Sequence, residues 1–405
     1  MAAARCAVAV ERMNRRPTRC QTVGMRTPLF ALVALLLVAG CADGDGDAGD
    51  DAPTSTTDRT SVSTVIDSSS IPVPETSDVS TPVTTTPTTP PVTTPPVTVP
   101  ATTVPSTTAP ATTAQAPVRP TIDELLARED VLNIAHAGGD QIWPHSTFYA
   151  FDRAVEAGAD VLEMDVQLTG DGVLIVQHDD TVDGTTNGTG RVDSYTFEEI
   201  TALDAAHWYA PGCWPCRDLP AEEYVLRGVR TGEVPAPEGV DPETLRIVSF
   251  AELVERYPDM PLDVEIKGTG EAAAAAARVL AAEIDELGVT GHVVVVSFDD
   301  ATVELFRSLA PDVDVSPGVG EMSAWLLEGA ELASGARIVQ VPPMFGDVQV
   351  ITPEFWSAVE LAGVEVWVWP NDAASQENTE FYTELVTQGA DGIIAGRPDL
   401  LPAAD

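Results

Sequence analysis

From residue 131 onward, short β-branched runs alternate with amphipathic stretches, a pattern that restricts this part of the chain to strands joined by helical crossovers. The runs are Val131–Ala135, Val161–Val166, Val173–Val176, Leu262–Ile266, His292–Ser297, Asp314–Ser316, Arg337–Val341, Glu365–Trp369 and Gly392–Ile394. Helical apolar spacing fills most intervals, as in Ser146–Ala157, Glu271–Leu287, Ala301–Leu309, Pro353–Ala362 and Thr379–Gln388. About eight strands with crossovers predict an α/β fold of the (β/α)8 TIM-barrel type rather than a doubly wound sheet. Residues 121–405 carry this pattern, a length suited to one large domain.

The preceding 120 residues have no such pattern. Residues 1–40 read as an export signal: an Arg-bearing start leads into an apolar run, Pro28 to Ala39, far short of the roughly 20 residues of a spanning helix. Met1 and Met25 both serve as possible starts. The run ends in Leu37-Val38-Ala39-Gly40-Cys41, which resembles the lipobox of bacterial lipoproteins and implies lipidation of Cys41. Residues 41–120 pass from an Asp/Gly stretch to a Thr/Pro/Val run without aromatic residues, so this segment is expected to be a disordered tether. The expected location is outside the cytoplasmic membrane or in the cell envelope, with the lipid anchor as the sole membrane contact.

Charge narrows the partners. The chain carries 63 acidic and 21 basic side chains, a net charge of −42. Nucleic-acid binding needs a concentrated positive field, so it is excluded as an expectation. Lys267 is the single lysine.

The strand alternation breaks first between Val161–Val166 and Val173–Val176, where no helix fits and Gly170-Asp171-Gly172 reads as a hairpin turn. With Asp171-Gly172 as the turn pair, His178 falls opposite Asp165, and Glu163 shares a face with Asp165. A third carboxylate, Glu265, stands at the end of the run Leu262–Ile266, with Lys267 on the same face. Catalytic groups of barrel enzymes stand at such strand ends. Three carboxylates with little nitrogen or sulfur nearby suit a hard divalent ion, Ca²⁺ or Mg²⁺. Lys267 reads as a phosphate contact or as a plain ion pair. His136 closes the first run before Gly138-Gly139. A metal beside two imidazoles at strand ends is a workable phosphodiester hydrolysis site.

The site candidates named so far lie within longer runs: 134–190, beginning IAHAGGDQIWPHST, and 263–268, DVEIKG; a third run, 389–401, reads GADGIIAGRPDLL. In order and spacing these resemble the glycerophosphodiester phosphodiesterases, over about residues 131–402. The resemblance implies a TIM barrel of the phospholipase-C-like type and a glycerophosphodiester or lipid head group as the small-molecule partner. It implies an acid–base pair of His136 and His178, metal ligation by Glu163, Asp165 and Glu265, and a phosphate contact at Lys267. Trp367 or Trp369, with Asn371, is similar to the late segment that shapes the substrate pocket.

The chain departs from the family at several places. Ala137 stands where an Arg usually follows the first His, His145-Ser146 replaces Glu-Asn, Gly184 replaces an Arg, and Ala395-Gly396 replaces Thr-Asp. Lys267 cannot copy a bidentate Arg clamp. Either Arg191, Arg227, Arg230 or His145 compensates, or phosphate affinity falls, or the substrate differs. A phospholipase of the same superfamily and a catalytically impaired barrel that binds head groups are the alternative functions.

The second break is an insertion at about residues 184–248 holding Cys213-Trp214-Pro215-Cys216. Too few ligands lie nearby for zinc, and in an exported compartment a Cys213–Cys216 disulfide is expected. Trp208, Tyr209 and Trp214 make the insertion a candidate lid or acyl-chain contact.

Overall fold

The computed structural model describes residues 119–212 and 216–401. Residues 1–118, with the expected signal, Cys41 and nearly all of the tether, lie outside the described residues, as do Cys213 and Trp214. No described helix is long and apolar enough to cross a membrane.

The strands are β1 (Leu132–Ala135), β2 (Val161–Leu168), β3 (Leu174–Val176), β4 (Leu262–Ile266), β5 (Val293–Val296), β6 (Asp314–Val315), β7 (Ile338–Val341), β8 (Met344–Phe345), β9 (Val348–Gln349), β10 (Glu365–Val368) and β11 (Gly392–Ala395). Eight of them run parallel in the order β6-β5-β4-β2-β1-β11-β10-β7 and form a nearly closed barrel. Side chains bridge the remaining seam between β6 and β7. Arg337 donates to both carboxylate oxygens of Asp314, and the Gln340 N–H donates to the Ser316 hydroxyl at 3.3 Å.

Alternation along each strand separates two environments. Leu162, Met164 and Val166 of β2, with Leu262, Val264 and Ile266 of β4, face outward into the layer beneath helices 250–256 and 270–286. On the other side, Val339, Val341, Val366, Val368 and Ile393 pack beneath helices 353–362 and 379–388. The inward positions begin as an apolar floor of Leu132, Ile134, Val161, Val294, Ile338, Trp367 and Ile394, closed from below by Ile122 and Leu125 of a short helix. Above that floor the inward positions of β2 and β4 become acidic.

The hairpin of β2 and β3 is present, but its turn differs from the expected one. The Thr169 N–H donates to the Val173 carbonyl and the Val173 N–H to the Thr169 hydroxyl, and the loop is the three residues Gly170-Asp171-Gly172, with Gly172 at φ 83°. Three-residue hairpin loops place a residue in the left-handed region, which glycine adopts without a Cβ penalty. Gly170 is pressed against residues 193–195: its N–H donates to the Tyr195 carbonyl, and a Cβ there would meet the Asp193 carbonyl oxygen at 2.7 Å. The register therefore shifts by one residue, and Gln177 rather than His178 faces Asp165, its N–H donating to the Asp165 carbonyl at 3.0 Å.

The insertion packs on itself and on the mouth of the barrel. Asp204 is buried and accepts the N–H groups of Ala206 and Gly228, while the Tyr209 hydroxyl donates to the Ile142 carbonyl at 2.6 Å. Trp208 meets Tyr224 edge-on, and Arg227 lies over both rings. Cys216 is disulfide-bonded.

Candidate active site

The candidate groups stand on the lumen faces of β2 and β4 and in the segments that follow β1, β3, β4 and β10. After β1 the chain makes a tight turn, His136–Gly138, in which Ala137 adopts φ 45°. Ala137 and Ser146 (φ 57°) are the described non-glycine residues in the left-handed region. Such a conformation costs about 1–2 kcal/mol for a residue with a Cβ. The two are joined, since the Ser146 N–H donates to the Ala137 carbonyl at 2.8 Å. This arrangement aims the Ala137 N–H at Glu163 Oε2, 2.6 Å away. Position 137 thus serves the site through its backbone, and its side chain is 1% exposed.

Each of the two expected imidazoles has an acid at Nδ1. His136 Nδ1 lies 3.2 Å from Asp140 Oδ1, and His178 Nδ1 lies 2.7 Å from Asp179 Oδ1. Burial would lower the pKa of His136, but Asp140 and Glu163 hold it well above the ordinary histidine value. His178 is also raised, against burial, by Asp165 and by the Asp179 hydrogen bond. The loop carrying His178 is fixed by Gln167, whose amide donates to the carbonyls of Gln177, His178 and Asp179. Although the hairpin register puts Gln177 opposite Asp165, His178 still acts electrostatically on that carboxylate from just beyond the end of β3.

Glu163, Asp165 and Glu265 do share one lumen face. In the β2–β4 register Glu163 faces Asp263 and Asp165 faces Glu265. Asp263 is a fourth acid that the sequence reading missed, although it stands two residues before Glu265. It is fully buried and accepts from the Gln340 amide at 2.8 Å. Burial pushes its pKa up to about 7. Glu163 is raised by burial and by Asp165, and Glu265 is raised by burial despite Lys267. Asp165 works the other way: against burial, Lys267 and the two imidazoles pull it down to about 2. Lys267 Nζ sits 3.3 Å from Asp165 Oδ1 and 3.1 Å from Glu265 Oε1, and these carboxylates hold its pKa above the ordinary lysine value against burial.

The donor set fits a hard divalent ion in chemistry. It is all oxygen, desolvated and strongly anionic, and Asp165 Oδ2 is buried without a hydrogen-bond partner, Lys267 standing at Oδ1. The side chains are not drawn into a cage, since no three His, Cys, Asp or Glu groups among the described residues converge to hold an ion. Glu163 instead accepts the Ala137 N–H, and Lys267 stands between Asp165 and Glu265.

None of the three arginines considered as replacements for the missing clamp is available. Arg191 pairs with Asp180 and Asp193, Arg230 with Glu243, and Arg227 is held between aromatic rings. His145 does enter the site region, where its Nδ1 shares a 2.9 Å hydrogen bond with Ser146. Burial drops its pKa to about 4, so it is neutral near pH 7 and cannot substitute for a guanidinium. Trp367 belongs to the barrel floor and is fully buried, whereas Trp369 stands two residues higher, edge-on to Phe298 with centroids 5.7 Å apart. Asn371 ties this loop to the β8–β9 hairpin by donating to the Met344 carbonyl at 2.7 Å.

Residues 136–400 match the Glycerophosphoryl diester phosphodiesterase family. The chain belongs to that family. The glycerophosphodiester phosphodiesterase of Caldanaerobacter subterraneus subsp. tengcongensis is 31% identical over 272 residues, which cover 67% of this chain and 96% of the relative. A second relative, named a putative glycerophosphodiester phosphodiesterase in Bacillus subtilis, is 28% identical and is covered to 95%. Among solved structures, the glycerophosphodiester phosphodiesterase of Agrobacterium tumefaciens matches with a TM-score of 0.51 and 25% identity, over 68% of this chain and all of that one. The family membership makes this chain a phosphodiesterase, and the barrel expected from the strand alternation is the family's fold.

The sequence reading missed Asp140, Asp179, Asp263 and Glu377. Asp179 directly follows His178, and Asp140 lies four residues after His136, so both were in plain view as neighbours of catalytic candidates. Glu377 had no comparable signal. It stands between helices 373–376 and 379–388 and accepts the N–H groups of Gly396 and Arg397.

Proposed function

We propose that this phosphodiesterase hydrolyses glycerophosphodiesters to glycerol phosphate and an alcohol, with a divalent ion, Ca²⁺ or Mg²⁺, as cofactor. The observation that carries the reading is the placement of two acid-paired imidazoles, His136 and His178, which both act on the same buried carboxylate, Asp165. An imidazole on each side of a bound phosphodiester can take a proton from the attacking oxygen and return one to the departing alkoxide. Lys267 would contribute a positive charge toward a phosphate oxygen once it is released from Asp165 and Glu265. Glu163, Asp165 and Glu265 would hold the ion, which supplies neutralisation of phosphate charge. Trp369 and Phe298 would wall the head-group side of the mouth.

The test is turnover of glycerophosphocholine, glycerophosphoethanolamine, glycerophosphoglycerol and lysolipids, each with Ca²⁺, with Mg²⁺ and after exhaustive chelation. Positioned acid–base groups typically contribute about 10²–10⁴ in rate, so His136→Ala and His178→Ala should each lose that much in kcat. Lysolipids turned over in preference to the water-soluble diesters would favour the phospholipase alternative. Ligand binding without turnover of any of them would make this a binding barrel.

We also propose that the enzyme works outside the cytoplasmic membrane, held by a lipidated Cys41 and the Thr/Pro tether that follows. Membrane fractionation of Cys41→Ser tests this: the variant should be released, and an unchanged membrane fraction would rule the anchor out. The pairing of Cys216 with Cys213 belongs to the same reading of an oxidising compartment.

A further inference from the structure

The family departure at Gly396 has a counterpart on the other side of the site. A Cβ built on Gly396 would lie 2.4 Å from Asp140 Oδ1 and 2.6 Å from Gln141 Cγ, well inside contact distance. The volume that a side chain at 396 would take is occupied by the acid that stands at His136 Nδ1. That acid is held through its other oxygen, and the residue that holds it is itself fixed to the end of β11. Asp140 is 6% exposed, and its Oδ2 accepts from the Gln141 amide at 2.8 Å. The Gln141 N–H in turn donates to the Gly396 carbonyl at 3.1 Å, and Glu377 accepts the Gly396 and Arg397 N–H groups at 3.2 and 2.9 Å. Tyr382 donates to the same Glu377 carboxylate. The end of β11 and the loop after β1 are thereby locked together with no room between them.

We propose that Asp140 is the positioning residue of His136, fixing its Nδ1 so that Nε2 is presented to the substrate, and that position 396 must stay glycine to leave space for this carboxylate. The logic is that of any acid–imidazole pair in which the acid sets ring orientation and tautomer while the far nitrogen transfers the proton. In this chain the acid is supplied from the loop after β1, four residues beyond the histidine, and not from the end of β11. The inference rests on the reading of His136 as an acid–base group.

The experiment compares Asp140→Asn, Gly396→Ala and the double variant with His136→Ala, using glycerophosphocholine with Ca²⁺ or Mg²⁺ and following kcat and KM separately. Displacing a catalytic group by about 1 Å can cost about 10² in rate, so each single variant should lose on that order in kcat with little change in KM. The double variant should lose no more than the worse single one, because both changes break one contact. The ¹⁵N spectrum of the His136 imidazole should show a shifted tautomer or charge state in both variants. Additive losses, losses in KM alone, or an unchanged His136 spectrum would overturn the proposal. If Asp140→Asn does not fold, Gly396→Ala with the spectrum decides alone, since it leaves the carboxylate in the chain and moves it only. Activity that survives His136→Ala would instead overturn the catalytic reading, which is a separate failure.

Discussion

Asp165 and Glu265 face each other across the β2–β4 pairing, and the one lysine of the chain reaches both of them. Asp165 is almost fully buried and Glu265 largely so, and removing one partner of a buried ion pair typically costs about 3–5 kcal/mol. Lys267→Met should therefore destabilise the chelated protein strongly. A divalent ion held by the same carboxylates would replace the missing charge, so Ca²⁺ or Mg²⁺ should recover much of the lost Tm. Thermal unfolding of the variant with and without chelator checks this, and an equal loss in both conditions would argue that no ion binds there.

Glu163→Gln isolates the metal from the fold. A glutamine carbonyl can still accept the Ala137 N–H that Glu163 now accepts, so the loop after β1 should hold its shape. What is lost is one charge of the proposed ligand set. Calorimetric titration with Ca²⁺ and Mg²⁺ should show weaker binding by at least about tenfold, or about 1.4 kcal/mol, while the metal-free Tm moves little. Wild-type affinity in this variant would remove Glu163 from the ligand set.

Asp263 gives a pH dependence with a definite sign. Burial raises its folded pKa to about 7 from an ordinary carboxylate value near 4, so the folded state binds the proton more tightly than the unfolded chain does. The stabilisation from that proton is complete below the unfolded pKa and is lost as pH rises from about 4 through about 7. Asp263→Asn removes the titration and keeps an oxygen to accept from Gln340. In metal-free protein the variant should be more stable than wild type at pH 8, by on the order of a few kcal/mol, with the difference shrinking toward pH 4. Denaturant unfolding at the two pH values measures it. A gap that widened toward acid would mean that Asp263 is ionised when buried.

The sequence was most legible where one periodicity decided the matter. The β-branched run Leu262–Ile266 is a strand with those bounds, and helices 353–362 and 379–388 begin and end where their apolar spacing does. The catalytic candidates were visible because a polar residue on a lumen face needs a reason: Glu163 and Asp165 interrupt an otherwise apolar strand. The hairpin turn was read one residue off because its register depends on Gly170 being pressed against residues 193–195, a tertiary contact with no local signature. Trp367 and Trp369 could not be told apart by type. What separates them is height in the barrel, since Trp367 belongs to the floor layer and Trp369 packs, partly buried, against that layer and edge-on to Phe298. Glu377 was invisible for the same reason, because it acts through backbone N–H groups nearly twenty residues away.

Gly392 is a space-making residue of the floor rather than of the site. A Cβ there would lie 2.9 Å from both Ile134 Cδ1 and Trp367 Cδ1. Gly392→Ala should therefore overpack the floor and cost about 1–3 kcal/mol, read as a lower denaturation midpoint. The acids above should stay in register, so kcat and KM at a permissive temperature should be close to wild type. Activity lost in proportion to neither temperature nor unfolding would place Gly392 closer to the chemistry than the structure has it.

Arg119 ties the first described residues to the body of the domain. Arg119 is 7% exposed, and its guanidinium donates to the carbonyls of Val254, Tyr257 and Pro258 at 3.2, 2.9 and 3.2 Å. These carbonyls stand at and just past the end of helix 250–256, and of the three the Tyr257 carbonyl also accepts the Met260 N–H at 3.2 Å. Next to it, the Pro120 carbonyl bonds His292 Nδ1 at 2.8 Å, and Thr121 opens the capping box of the helix that closes the barrel floor. Hydrogen bonds from a charged donor contribute about 1.5–3 kcal/mol each when buried, and an acceptor left without one costs about 1–3 kcal/mol. Arg119→Ala should thus lower stability by several kcal/mol, the bonds being only partly additive. A chain starting at residue 117 should melt with the full-length protein, whereas one starting at 121 should melt with Arg119→Ala or below it. Equal stability of the two truncations would show that the helix end finds other partners and that the domain starts after Pro120.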